Sequence, residues 1–161
     1  MQPDSLEARD ARSVIHGLTN LQRHLELGPT VIERGHGVWV VDNHGREYIE
    51  AMSGLWCIAL GYGNRRLAAV AARQMEELAY YPLISHKSHP AAIELADKLT
   101  AIAPGPMSRV WFANSGSEAN DCAVRLAWYY WSARGRPQKR KLIAHRQSYH
   151  GNTIASASLS G

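Results

Sequence analysis

The stretch from Arg109 to Leu126, RVWFANSGSEANDCAVRL, constrains this chain more than any other. Large apolar residues cluster over Arg109–Ala113 in the manner of a buried strand, Asn114–Ser117 are small and polar, and from Glu118 the apolar residues recur at helical spacing. The pattern predicts a strand, a tight turn and a helix start. That order of elements makes an anion site, because the first N–H groups of a helix lack intrahelical partners and sit at the positive end of its dipole. Gly116 allows close backbone approach, and the hydroxyls of Ser115 and Ser117 can each cap the helix or donate to an oxyanion. By itself Ser-Gly-Ser is a capping signal before it is anything else, and an ordinary capped helix with no ligand accounts for it.

The next strand pattern supplies context. Lys141–Arg146, KLIAHR, precedes Gln147, Ser148, Tyr149, His150 and Gly151. In an open parallel sheet, ligands bind beyond the carboxyl ends of the strands, so Tyr149 and His150 are expected beside the Ser115–Ser117 turn. A phosphate cradle with a flat aromatic neighbour suits a phosphorylated ring. Other phosphate and nucleophile motifs fail on residues: there is no G-x-x-x-x-G-K-[ST], no G-x-G-x-x-G between strand and helix, and Asn-Ser-Gly-Ser-Glu is not a nucleophile elbow.

FANSGSEAND at 112–121 followed by SYHGNT at 148–153 resembles the class III aminotransferases, pyridoxal-phosphate enzymes that include the omega-amino acid and amine:pyruvate transaminases. GVWVVDNHGREYIEAMSGLWCIALGYGN, at 37–64, resembles the same family's amino-terminal region, so the likeness covers about Thr30 to Gly161. It implies an α/β protein of the pyridoxal-phosphate-dependent fold type I, a large domain with a mainly parallel sheet plus a smaller α+β amino-terminal domain. Residues 1–60 would be the helix and antiparallel meander of the small domain, and 61–161 the start of the large one.

The resemblance also implies the site. Ser115, Gly116 and Ser117 would hold the phosphate of pyridoxal 5'-phosphate, Tyr149 would stack on its ring, and His150 with Gly151 would shape the turn that presents Tyr149. Trp56, Leu18 and Tyr149 would line the substrate pocket, and Leu83–His86 would reach into the partner's site of a homodimer. Read without the resemblance, Trp56 is a core residue and Leu18 lies in a connecting loop.

The family's Schiff-base lysine lies beyond Gly161, and none of the four lysines, Lys87, Lys98, Lys139 and Lys141, stands in a matching context. The chain is therefore expected to be the amino-terminal part of a longer enzyme, with no catalytic residue of its own assigned. The reaction implied is ping-pong transfer of an amino group from an amine or omega-amino acid to a keto acid such as pyruvate. Another enzyme on the same cofactor (an aminomutase, racemase or decarboxylase) and a non-catalytic fragment stand as alternatives.

Composition narrows the partners. With 45% hydrophobic and 20% charged residues this is an ordinary globular chain. Its net charge of +4 concentrates only at Arg134–Arg146, where no aromatic residues interleave the cations, so no nucleic-acid partner is expected. Cys57 and Cys122 read as reduced thiols. No apolar run approaches the roughly twenty residues that span a bilayer, and the polar start lacks a signal peptide's apolar segment, so no membrane contact and a cytoplasmic address are expected. His86 and His89 lack a third ligand at suitable spacing, so no metal is expected.

Along the chain, residues 4–16 read as a helix capped by Asp4 or Ser5, and 18–28 as irregular. Three short strands follow over Thr30–Met52. Ser53–Asn64 is too rich in glycine for a helix and too apolar for a solvated loop. Asn64 caps a helix over 65–81, whose Met75 and Leu78 are expected in the core. Further helices start near Pro90 and Ser117, the latter ending at Gly135. Glu118 and Asp121 fall in its first turn, where the dipole favours acidic side chains.

Overall fold

The computed structural model describes residues 2–161, which divide into two compact units, 2–81 and 82–161. The division falls after the helix that follows Asn64.

In the first unit, helix α1 (Leu6–Ser13) is capped by Ser5, whose hydroxyl accepts the Ala8 N–H. The stretch expected to be irregular holds a second helix, α2 (Leu21–Leu27), capped by the Asn20 side chain and ended by Gly28 at φ 75°. Its signal was an asparagine cap and a glycine stop around only two turns.

The meander forms as expected. Strands β1 (Ile32–His36), β2 (Trp39–Asp42) and β3 (Glu47–Ile49) pair antiparallel in the order β1-β2-β3, with an irregularity between Ile32 and Arg34. Val40 and Val41 are buried. Beside them the buried Asp42 carboxylate accepts the N–H groups of His44 and Arg46 at 3.0 and 2.9 Å, Arg46 Nε–H at 2.7 Å and Tyr48 O–H at 2.9 Å. Burial by itself would raise its pKa, but these four donors favour the charged form and hold it far below the ordinary carboxylate range. The same carboxylate pushes the Tyr48 phenol up.

Beyond β3, Ser53, Gly54, Leu55 and Trp56 all have positive φ, forming a single left-handed helical turn, α3 (Ser53–Trp56). Each residue with a Cβ in that conformation costs about 1–2 kcal/mol. The turn is held by the Glu50 carboxylate, which accepts the N–H groups of Met52 and Gly54, and by Trp56 N–H donating to Met52 O at 2.9 Å. Reciprocal bonds between Gly37 and Tyr62, at 3.0 and 2.8 Å, tie the segment back to the meander. Helix α4 (Arg65–Leu78) starts where Asn64 accepts the Leu67 N–H. Its apolar stripe is not core as expected: Met75 is 69% exposed, because among the described residues no other element of its own unit packs extensively on α4.

In the second unit, helix α5 (Pro90–Ile102) carries proline at its first turn. Helix α6 (Gly116–Ala133) is followed by Gly135 at φ 70°, and the short helix α7 (Ile154–Leu159) packs against it. The expected strands at 109–113 and 141–146 are absent: neither belongs to a ladder, and Ile143 is 98% exposed. A parallel strand exists only through hydrogen bonds to a neighbour, and these two segments do not pair with each other. For the same reason the apolar residues of α6 are mostly exposed, Leu126 and Tyr130 included, and within the helix only Ser117 and Cys122 are buried.

Candidate cofactor site

Ser115 is the N-cap of α6. Its hydroxyl accepts the Glu118 N–H at 3.2 Å, and the Glu118 carboxylate turns back to accept the Asn114 N–H at 2.9 Å. This reciprocal arrangement uses the Glu118 charge locally, which explains the structural role its position suggested. The N–H groups of Gly116 and Ser117 are the first two of the helix and have no intrahelical acceptor. A Cβ built on Gly116 would meet nothing within 4 Å, so the surface before these amides is open.

The loop carrying Tyr149 and His150 lies directly against this turn. Asn152 N–H donates to Ser117 Oγ at 3.1 Å, and the Ser117 hydroxyl donates to Asn152 Oδ1 at 3.1 Å. Asn120 Nδ2 donates to the His150 carbonyl at 2.6 Å. Asp121 Oδ1 accepts Thr153 Oγ1–H at 2.7 Å and Ser156 N–H at 3.0 Å, so it anchors the start of α7; with α6 starting at Gly116, Asp121 lies beyond the first turn, where only Glu118 faces the dipole. Gly151, at φ 133°, lets the two backbones close: a Cβ there would lie 2.9 Å from Ser117 Cα. The juxtaposition of Ser115–Ser117 with Tyr149–Gly151 is thus as expected, although the strands expected to create it are not formed.

One detail differs from expectation. A hydroxyl has a single proton, and that of Ser117 is committed to Asn152, so Ser117 can offer an anion only its amide. The Ser115 hydroxyl accepts a bond as cap and retains its proton. Asn120, Asn152, Thr153 and Ser156 were not singled out from the sequence; the polar Gly-Asn-Thr run after His150 was a signal for Asn152 and Thr153 only.

Tyr149 is 70% exposed, and its neighbour His150 is held by backbone bonds on both sides, its N–H donating to Ser160 Oγ at 3.0 Å. His150 Nε2 is sealed from solvent without a partner among the described residues. Two free amides, a spare hydroxyl proton, open space at Gly116 and an exposed ring fit a phosphorylated planar cofactor. In the first unit, Leu18 is fully exposed at φ 52°, and Trp56, expected in the core on composition alone, is 81% exposed. Leu83–His86 lie in a loop with Ser85 and His86 at positive φ. Lys139 sits 3.4 Å over the Trp131 ring.

The family model described as aminotransferase class III matches residues 22–161. The chain belongs to the class III aminotransferases. This aminotransferase chain is 41% identical over 143 residues to the putrescine–pyruvate aminotransferase of Pseudomonas aeruginosa, covering 89% of itself and 31% of that protein. It is 46% identical over 137 residues to the chloroplastic gamma aminobutyrate transaminase 3 of Solanum lycopersicum, covering 84% of itself and 26% of that protein. A crystal structure of the omega transaminase from Pseudomonas jessenii in complex with PMP superposes with a TM-score of 0.95 at 53% identity, over 98% of this chain and 35% of that one. The aminotransferase chain therefore has part of fold type I and spans about a third of the length of the relatives it matches. Among the described residues no helix is long and apolar enough to cross a membrane.

Proposed function

We propose that the complete protein is an omega-transaminase that uses pyridoxal 5'-phosphate to move an amino group from an amine or omega-amino acid to a keto acid such as pyruvate, in ping-pong fashion. The observation that carries this reading is the open pair of amides at Gly116 and Ser117 with the Tyr149 loop strapped to the same helical turn. When bound, the cofactor withdraws electrons from the carbon next to the substrate nitrogen.

The chain's own part is to bind and orient. The Gly116 and Ser117 amides and the Ser115 hydroxyl donate to the phosphate, where the helix dipole reinforces them. Tyr149 offers its face to the ring, and the bonds of Asn152, Asn120 and Asp121 hold its loop against the start of α6. Trp56 stands on a left-handed turn whose conformational cost is best explained by the need to present a large rigid surface to the substrate's apolar group. Leu18 borders the substrate entrance. The lysine that anchors the cofactor and carries the proton belongs to sequence outside this chain.

The rest of the reading extends to the assembled protein. Residues 1–60 belong to a small domain and 61–161 to the large one, in which 109–113 and 141–146 take their places in a mainly parallel sheet. The protein works as a homodimer, with Leu83–His86 reaching into the partner's site. A cytoplasmic address completes the proposal.

The test is spectroscopic. Adding an amine donor to the full-length protein should bleach the cofactor's visible band, and adding pyruvate should restore it. A band that bleaches and is restored by no keto acid rules out transamination, and a protein that retains no cofactor rules out the site.

A further inference from the structure

The two histidines of the amino-terminal segment converge on one carboxylate oxygen. Asp10 on α1, His16 in the connector and His24 on α2 place His16 Nε2 and His24 Nε2 at 2.9 and 3.2 Å from Asp10 Oδ1. The three ligand atoms all lie within 4.8 Å of one another, and each residue is partly buried, His24 the most enclosed. The imidazole centroids are 4.2 Å apart, and Asp10 Oδ2 accepts no hydrogen bond among the described residues.

Two imidazole nitrogens and a carboxylate are a donor set suited to divalent zinc and its first-row neighbours. Bonds of about 2.0–2.1 Å at tetrahedral angles separate neighbouring ligand atoms by about 3.3 Å. The observed 2.9 and 3.2 Å approach that edge length, and the third edge, between the two imidazole nitrogens, is within 4.8 Å, so side-chain adjustment lets an ion replace the two N–H···O contacts. Each imidazole then presents its Nε2 lone pair and carries its proton on Nδ1. The remaining coordination positions are left to water.

We infer that Asp10, His16 and His24 form a binding site for a divalent transition-metal ion, with zinc as the representative ion, that staples α1 to α2. The site is independent of the cofactor reading. It closes a loop containing Gly17 to Arg23, Leu18 included, so an ion would restrict that loop without any role in chemistry.

The experiment uses the full-length protein, free of any polyhistidine tag, with Zn2+ and Co2+ as probes. Zn2+ should bind saturably, Co2+ should give the visible d–d band of an imidazole-ligated ion, and His24→Gln should weaken Zn2+ binding at least about tenfold, since one of three protein ligands is gone. Diethyl pyrocarbonate labelling of the unsubstituted protein, mapped by peptide mass, should show His16 and His24 protected by Zn2+. Equal Zn2+ affinity in the variant overturns the proposal, as does equal labelling of both histidines with and without Zn2+; the latter would mean that Asp10 serves only as a hydrogen-bond acceptor. Should His24→Gln fail to fold, the labelling decides.

Discussion

Ser117 and Asn152 exchange two hydrogen bonds, each of 3.1 Å, and so lock the Tyr149 loop to the first turn of α6. Ser117 is buried, and Ser117→Ala leaves the Asn152 N–H and Oδ1 without these partners. Each unsatisfied group costs about 1–3 kcal/mol. The substitution should therefore lower the stability of the cofactor-free full-length protein and weaken cofactor retention together, measured by thermal unfolding and by equilibrium dialysis. Ser115→Ala should cost only about 1 kcal/mol as a lost cap. If Ser117→Ala weakens cofactor binding with unchanged unfolding, its hydroxyl meets the phosphate after all.

Gly116 and Gly151 should respond oppositely to alanine. At Gly116 a methyl meets nothing within 4 Å, so Gly116→Ala should fold normally yet crowd the surface before the amides, lowering cofactor affinity by about tenfold or more. At Gly151 the methyl would press on Ser117 at a φ that disfavours any side chain, and Gly151→Ala should destabilise the protein by about 1–3 kcal/mol. Chemical denaturation with and without cofactor separates the two effects.

Acid should loosen the first unit through Asp42 and Glu7. Asn43 Nδ2 donates to Glu7, and His44 lies 3.2 Å from the same carboxylate; the Asn43 bond, first among the causes, holds the Glu7 pKa at about 2. Folding lowers both carboxyl pKa values, so the stability they contribute is complete above the unfolded pKa of about 4 and drains away as pH falls through the folded values. For Glu7 the window runs from about pH 4.5 to about 2. Asp42→Asn should lower the unfolding midpoint near neutrality and flatten its fall with acid. An acid profile as steep as the parent's would remove Asp42 from the account.

Trp56→Ala should alter which amines are accepted while leaving cofactor content unchanged. Since Trp56 is exposed, the loss is a missing wall and not a core cavity, and a change in apolar contact of this kind is worth about 1–3 kcal/mol in discrimination. The ratio of kcat/KM for a bulky and a small amine should therefore shift about tenfold or more. An unchanged ratio would show that Trp56 lines no substrate pocket.

Local signals carried a great deal. Ser5, Asn64 and Ser115 are caps where residue type and spacing place them, the meander follows its turns, and Gly135 stops α6, because each depends on a few consecutive residues. The missed helix α2 had the same kind of signal over too short a span. Met75 is exposed, and the segments 109–113 and 141–146 join no ladder among the described residues, because burial and strand pairing belong to two partners and sequence patterns describe one. Asn152 was overlooked because its partner Ser117 is 35 residues away.

By itself the sequence determined that a helix begins at Ser-Gly-Ser, that an aromatic and a histidine follow at a fixed remove, and hence which family of chemistry the pieces serve. Only the tertiary structure decided which hydroxyl is spent and which is spare, that Asp121 anchors α7, that Gly151 is the point of closest approach, and that Asp10, His16 and His24 meet. Caps and turns are chosen by neighbours along the chain. A hydrogen bond between distant residues is chosen by where folding brings them.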